Sequence, residues 1–208
     1  MASGYEAIIW NYLLLRINNE YGVAGLMGNL QAESGLYPNR VQGDVPYSSY
    51  SAEYTAKVDN GDISESEFVN NGPNGGGYGL AQWTTPARKQ ALYSLRMSGG
   101  YTSIGAIDLA LDYLWYELQN SYSGVLSVLT TAASVREASD SVLHDFERPA
   151  DQSSSVEIAR AQLGTAFYNQ FSGNAPITPD IPKTARKNYN FLLFNARKRR
   201  NQWIGKKF

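Results

Sequence analysis

The chain has no cysteine and a single histidine, His144, among its 208 residues. These two shortages exclude more chemistry than any one motif establishes. Without a thiol there is no cysteine nucleophile. With no thiolate and one imidazole, the two or three His or Cys ligands of a catalytic zinc site cannot be assembled. A Ser-His-Asp triad would have to use His144, which lies in Val142-Leu143-His144-Asp145-Phe146 and reads as a helix-surface or core residue. Long apolar runs are missing too, since no stretch approaches the roughly 18 unbroken apolar residues of a membrane span. The most apolar N-terminal segment, Ala7 to Ile17, is interrupted by Asn11, Tyr12 and Arg16, and Glu6 stands where a signal peptide carries basic residues. It also lacks a small-residue cleavage site, so it is expected to be a helix and not a signal peptide. No metal and no cofactor is expected. Carboxylates are left as the groups able to move protons near neutral pH.

What the chain does have is 43% apolar and 12% aromatic residues, enough for one sizeable core. Its net charge of -1 hides a split. Up to Pro182 there are 9 basic and 19 acidic residues, whereas Lys183 to Phe208 holds 9 basic residues and no acid. Residues 1 to 172 are therefore expected to form one domain. Residues 173 to 208 are expected to be a linker with Pro176, Pro179 and Pro182, followed by a basic tail that is either solvated or an anchor for a polyanion or acidic partner.

Helical signals dominate. Ser3 with Glu6 has the form of a capping box before a first helix, Gly4 to Ile17. A second helix, Val23 to Ser34, places Val23, Leu26, Met27 and Leu30 on one stripe. Gly25 and Gly28 lie on its other side, and glycine inside a helix implies that another element comes close. Glu33 falls at the margin of the stripe, just before Gly35 can end the helix. Between Tyr37 and Gly77 the helical period fades, which predicts a lobe of loops and short strands with a tight turn at Asp59-Asn60-Gly61. Thr85-Pro86 opens renewed helical patterning that runs on through Ile104, Ile107, Leu111, Leu114 and Leu118. Ser134 with Glu137 is a second capping box, leading a helix that stops at Pro149, and a last helix spans Ser155 to Phe171.

Three segments carry the chemistry: Gly28-Asn29-Leu30-Gln31-Ala32-Glu33-Ser34-Gly35-Leu36, Gly77-Tyr78-Gly79-Leu80-Ala81-Gln82-Trp83-Thr84, and Phe146-Glu147-Arg148-Pro149-Ala150. Together with Ala24-Gly25-Leu26-Met27 they resemble, over residues 5 to 171, the phage tail lysozyme family. More distantly they are similar to goose-type lysozymes and lytic transglycosylases. The resemblance implies a mainly α, lysozyme-like fold with a small irregular or β lobe forming one wall of a substrate cleft. It also implies a peptidoglycan-degrading glycosidase, carried on a virion or used in host lysis, whose partners are glycan strands and, through the basic tail, other tail proteins or an anionic wall polymer. Glu33 is then the catalytic acid, and Gly79, Leu80 and Gln82 sit across the cleft.

The residue chemistry is consistent with that assignment. Burial against Leu26, Met27 and Leu30 would keep a carboxyl protonated, as a general acid requires. Gln82 offers both a donor and an acceptor to sugar substituents. Tyr78 and Trp83 could present ring faces to a pyranose, although a core role for Trp83 is an equal expectation. Glu147 and Arg148 are expected to be a structural ion pair closing a helix. For a second catalytic carboxylate, Asp59 is favoured over Asp44 and Asp62, the remaining alternative being that the glutamate acts alone. The alternatives are a lytic transglycosylase using the same glutamate, or a virion protein that binds walls without cutting them.

Overall fold

A computed structural model describes residues 4–44, 49–72 and 76–174. Ser3 of the first capping box and the basic tail lie outside them. The described residues form α1 (Glu6–Ile17), α2 (Glu20–Ser34), α3 (Tyr50–Asn60), α4 (Glu65–Asn70), α5 (Pro86–Gly99), α6 (Ile107–Asn120), α7 (Ser123–Thr131), α8 (Val135–Ser141) and α9 (Ser154–Phe171). A π-helical segment, Val142–Glu147, prolongs α8.

The protein is organised around α2, which packs chiefly on α9 and α8 and also touches α1 and α7. Glycine spacing explains why. Gly22, Gly25 and Gly28 recur every three residues, and each admits a different helix. A Cβ at Gly22 would strike the Leu129 carbonyl of α7. One at Gly25 would stand 2.6 Å from Ala138 Cβ in α8, and one at Gly28 would collide with the Arg160 carbonyl of α9. Gly164 reciprocates from α9, where a Cβ would lie 2.7 Å from the Ala24 carbonyl oxygen. The close approach that the glycines imply is therefore present on three neighbours, and the opposite stripe of Val23, Leu26, Met27 and Leu30 is wholly buried.

Other helix boundaries follow capping chemistry. The Thr85 hydroxyl accepts from the Arg88 N–H with Pro86 at the first helical position. Ser134 accepts from the Glu137 N–H at 3.1 Å, while Glu137 accepts from the Ala133 N–H at 2.9 Å. α1 starts at Glu6 without a side-chain cap, its N-cap position being Tyr5.

The lobe between Tyr37 and Gly77 departs from expectation, because it contains α3 and α4 where loops and strands were predicted. The buried face of α3 is Ser51, Tyr54, Thr55 and Val58, a helical spacing that is half polar and hence invisible to an apolar period. The Thr55 hydroxyl is satisfied internally, bonding the Ser51 carbonyl and the Tyr78 hydroxyl, both at 2.7 Å, whereas the buried Tyr54 hydroxyl has no hydrogen-bond partner. Asp59-Asn60-Gly61 is not a hairpin turn but the end of α3, closed by Gly61 at φ 84. Extended pairing among the described residues consists of isolated bridges, Val41 with Tyr78 and Tyr78 with Trp83. The patterning after Thr85 is split at Gly100 (φ 72) into α5 and α6, leaving Ile104 in the connection. α7 begins without a side-chain cap.

Candidate active site

The last turn of α2 delivers Glu33 to a cleft of about 480 Å³ lined also by Arg40, Val41, Gln42, Gly43, Gln82, Thr84, Thr85, Arg88, Glu147, Arg148 and Pro149. Gly35, left-handed at φ 64, ends the helix and turns the chain away immediately after the glutamate. Glu33 retains 20% of its side-chain surface, and its Oε1 accepts a charge-assisted bond of 2.5 Å from Arg160 Nη2. Arg160 is fixed in turn by Asn29. The Asn29 Oδ1 accepts from Arg160 Nη1 at 3.1 Å, while its Nδ2 donates to the Gly25 carbonyl at 3.0 Å and to the Ser139 carbonyl at 3.1 Å. Neither Asn29 nor Arg160 was singled out from sequence. Asn29 stands four residues before Glu33 in the same motif, which was the signal for it, whereas Arg160 carries no motif.

The opposite wall is a four-residue turn. Tyr78 and Trp83 exchange backbone bonds of 3.1 and 2.9 Å, and the Gly79 N–H donates to the Arg40 carbonyl at 2.7 Å. Gly79 needs its positive φ of 82, and a Cβ there would lie 2.9 Å from the Trp83 ring. Gln82 also has positive φ, 43, and its Nε2 donates to the Arg40 and Gly79 carbonyls at 3.1 and 2.9 Å. The donor half of the amide thus holds the turn, and the acceptor oxygen makes no bond within the described protein.

Of the residues expected at the site, Glu33 and Gln82 face one cleft. Gly79 and Leu80 shape the turn but are buried. Tyr78 and Trp83 belong to the core, both fully buried, so they offer no ring face to a sugar. The Trp83 Nε1 donates to Glu117 Oε2 at 2.7 Å, and Tyr78 packs edge-on against Phe68. A core position is where a large ring with one satisfied polar atom is most stable.

Asp59 lies elsewhere. It pairs with Arg96 at 3.1 Å, accepts from the Ile104 N–H at 2.8 Å and does not line the cleft. A carboxylate used to clamp α3 to the α5–α6 connection is a structural ligand, and this corrects the expectation of a catalytic aspartate there. Asp44 accepts from the Ser51 hydroxyl and backbone N–H in the first turn of α3, and Asp62 is exposed outside the cleft.

The second carboxyl on the cleft is Glu147, and its expected pairing with Arg148 does not form. No ion pair joins them, and the buried Glu147 Oε1 has no hydrogen-bond partner. Burial pushes this carboxyl well above its usual range. The Glu33 carboxylate adds to the rise, while the Arg88 and Arg160 guanidiniums oppose it. Arg88 is itself largely committed, making bonds of 2.7 and 2.8 Å to the two oxygens of buried Glu117. Glu147 ends the π-helical segment, and Arg148 follows in a left-handed conformation at φ 50. Rare helical geometry and positive φ in a non-glycine residue both concentrate at functional sites.

His144, on the same segment, bonds Gln152 and Glu157 at 2.9 Å each on the outer surface and has no place in the cleft. Both bonds raise its proton affinity, that to Gln152 the more.

A mainly helical body whose cleft sets carboxyl groups opposite a glycine-gated turn defines the lysozyme-like class of fold. The family model of the phage tail lysozymes matches residues 5–171, and the chain belongs to that family. Membership carries a lysozyme-like function directed at peptidoglycan. A comparison with curated proteins finds no match. No described helix is long and apolar enough to cross a membrane.

Proposed function

We propose that the protein is a muramidase that hydrolyses the β-1,4 bond from N-acetylmuramic acid to N-acetylglucosamine in peptidoglycan, acting as part of a phage tail or of a lysis system. The observation that carries this reading is the placement of Glu33 and Gln82, from distant segments, on one cleft. Glu33 is its catalytic carboxyl. The free Gln82 acceptor suits an acetamido N–H or a hydroxyl. Arg148, which forms no ion pair among the described residues, and Arg40 at the rim suit the carboxylates of stem peptides.

The test is E33Q on purified walls, followed by release of reducing ends and mass spectrometry of the muropeptides. E33Q should keep the fold and lose about 100-fold or more of the activity, the scale of a lost proton-transfer group. Undiminished lysis by E33Q would overturn the site. Amino groups released by the wild type in place of reducing sugars would overturn the glycosidase, and 1,6-anhydro products would reassign the chemistry to a transglycosylase.

A further inference from the structure

We infer that Glu147 is a second catalytic carboxyl, the proton donor to the departing sugar oxygen, and that Glu33 works as the carboxylate that receives the proton of the attacking water. The inference rests on the glycosidase reading above and divides its labour between two residues.

Geometry separates the two groups. Both line the same cleft, Glu33 from the end of α2 and Glu147 from the end of the π-helical segment. Glu33 has a fixed cation, Arg160, at 2.5 Å, and that cation is oriented by buried Asn29. One Glu33 oxygen is thus committed to a charge-assisted bond. Glu147 has no bonded cation, because Arg160 is spent on Glu33 and Asn29, and Arg88 on Glu117. One of its oxygens is sealed from solvent without a partner, while part of the residue stays open to the cleft. An unpartnered carboxyl oxygen out of water is costly as an anion and far less so as a neutral acid. The charged groups acting on it are Glu33 and Glu117, which favour its proton, and Arg88 and Arg160, which oppose it, with burial the largest influence. Two carboxyls on one cleft, one bonded to a fixed cation and the other without one, offer the division that acid-base cleavage of a glycoside needs.

The step balances as follows. The Glu147 O–H gives its proton to the glycosidic oxygen as the bond from that oxygen to the muramic acid C1 breaks, so glucosamine leaves with a free 4-hydroxyl. Water adds to the cationic C1, and its proton passes to Glu33. Glu33 then carries the proton that Glu147 lost, and exchange with solvent in the open cleft restores both groups.

The distinguishing experiment compares E147Q, E33A and wild type on purified walls and on the 4-nitrophenyl glycoside of the GlcNAc–MurNAc disaccharide, whose phenolate leaves without protonation. E147Q should lose about 100-fold or more on walls yet stay within about tenfold of wild type on the aryl glycoside, since only the natural leaving group needs an acid. E33A should be slow on both, and added azide should restore turnover by supplying a nucleophile that needs no base. Wall cleavage by E147Q at the wild-type rate would overturn the inference and leave the muramidase reading intact. So would a reversal, in which the aryl leaving group rescues E33A and not E147Q. Failure of the wild type to cut glycan would instead sink the reading on which the inference rests. Aryl-glycoside turnover by E147Q also certifies its fold, which a merely structural role for Glu147 would not preserve together with so selective a defect.

Discussion

Glu147 keeps one oxygen out of solvent and unpaired, so its protonation is tied to folding as well as to the cleft. Its proton affinity is raised in the folded protein. Between the ordinary carboxyl range and that higher value, the folded protein holds a proton that the unfolded chain has released. The stability this group contributes is therefore whole below the ordinary value and is lost as pH rises through the folded one. E147Q removes the ionisation and should be the more stable protein at alkaline pH, with little difference in acid. Thermal midpoints of wild type and E147Q measured at about pH 5 and about pH 8 should diverge toward the higher pH. A constant difference would show that this carboxyl does not titrate on folding. A stability cost retained at one residue is what a working site leaves behind. Asp59 is the opposite case, its carboxylate bonded to Arg96 and to the Ile104 backbone, where charge supports the fold.

Among the elements, α2 shows how far the sequence could be followed. Its apolar stripe and its glycines at positions 25 and 28 announced a buried helix closely approached on its second side, and both features are present. Gly28 meets the Arg160 carbonyl and Gly164 of α9, so G28A gains helix propensity of at most about 1 kcal/mol and must push α9 away, a net cost of about 2 kcal/mol or more. Because Arg160 is the cation that holds Glu33, the same variant should lose wall-cleaving activity beyond what its unfolded fraction explains. Denaturation midpoints and initial rates on one preparation will show it, and a stable, fully active G28A would contradict the packing.

Elsewhere the signal was weak for physical reasons. α3 buries serine, threonine and tyrosine, so no apolar period marks it. Trp83 and Tyr78 look alike in sequence whether they face sugar or core, and only packing decides. Adjacency in sequence makes Glu147 and Arg148 look like an ion pair. The left-handed turn at Arg148 and the unpaired state of the carboxyl are properties of the folded chain alone.

For the whole molecule, the cleft lies where the α2–α9 body meets the turn at Gly79–Gln82, so a bound glycan would bridge parts held together mainly by the core beneath them. A ligand that binds only the folded state at about 100 times its Kd stabilises by about 2.7 kcal/mol, which corresponds to a midpoint shift of roughly 5 to 10 °C in a domain of this size. The hydrolysis-deficient E33Q with a GlcNAc–MurNAc tetrasaccharide is the protein in which to measure it. Arg148 gives the control that separates binding from folding. Its positive φ of 50 suits glycine better than arginine, so R148G in the E33Q background should leave the free midpoint unchanged or higher. The same change removes a cation from the cleft rim, so the shift on adding a peptide-bearing saccharide should shrink. An equal shift in both proteins would mean that the carboxylates of the stem peptide do not lie against this rim, and that the glycan enters the cleft from its other end.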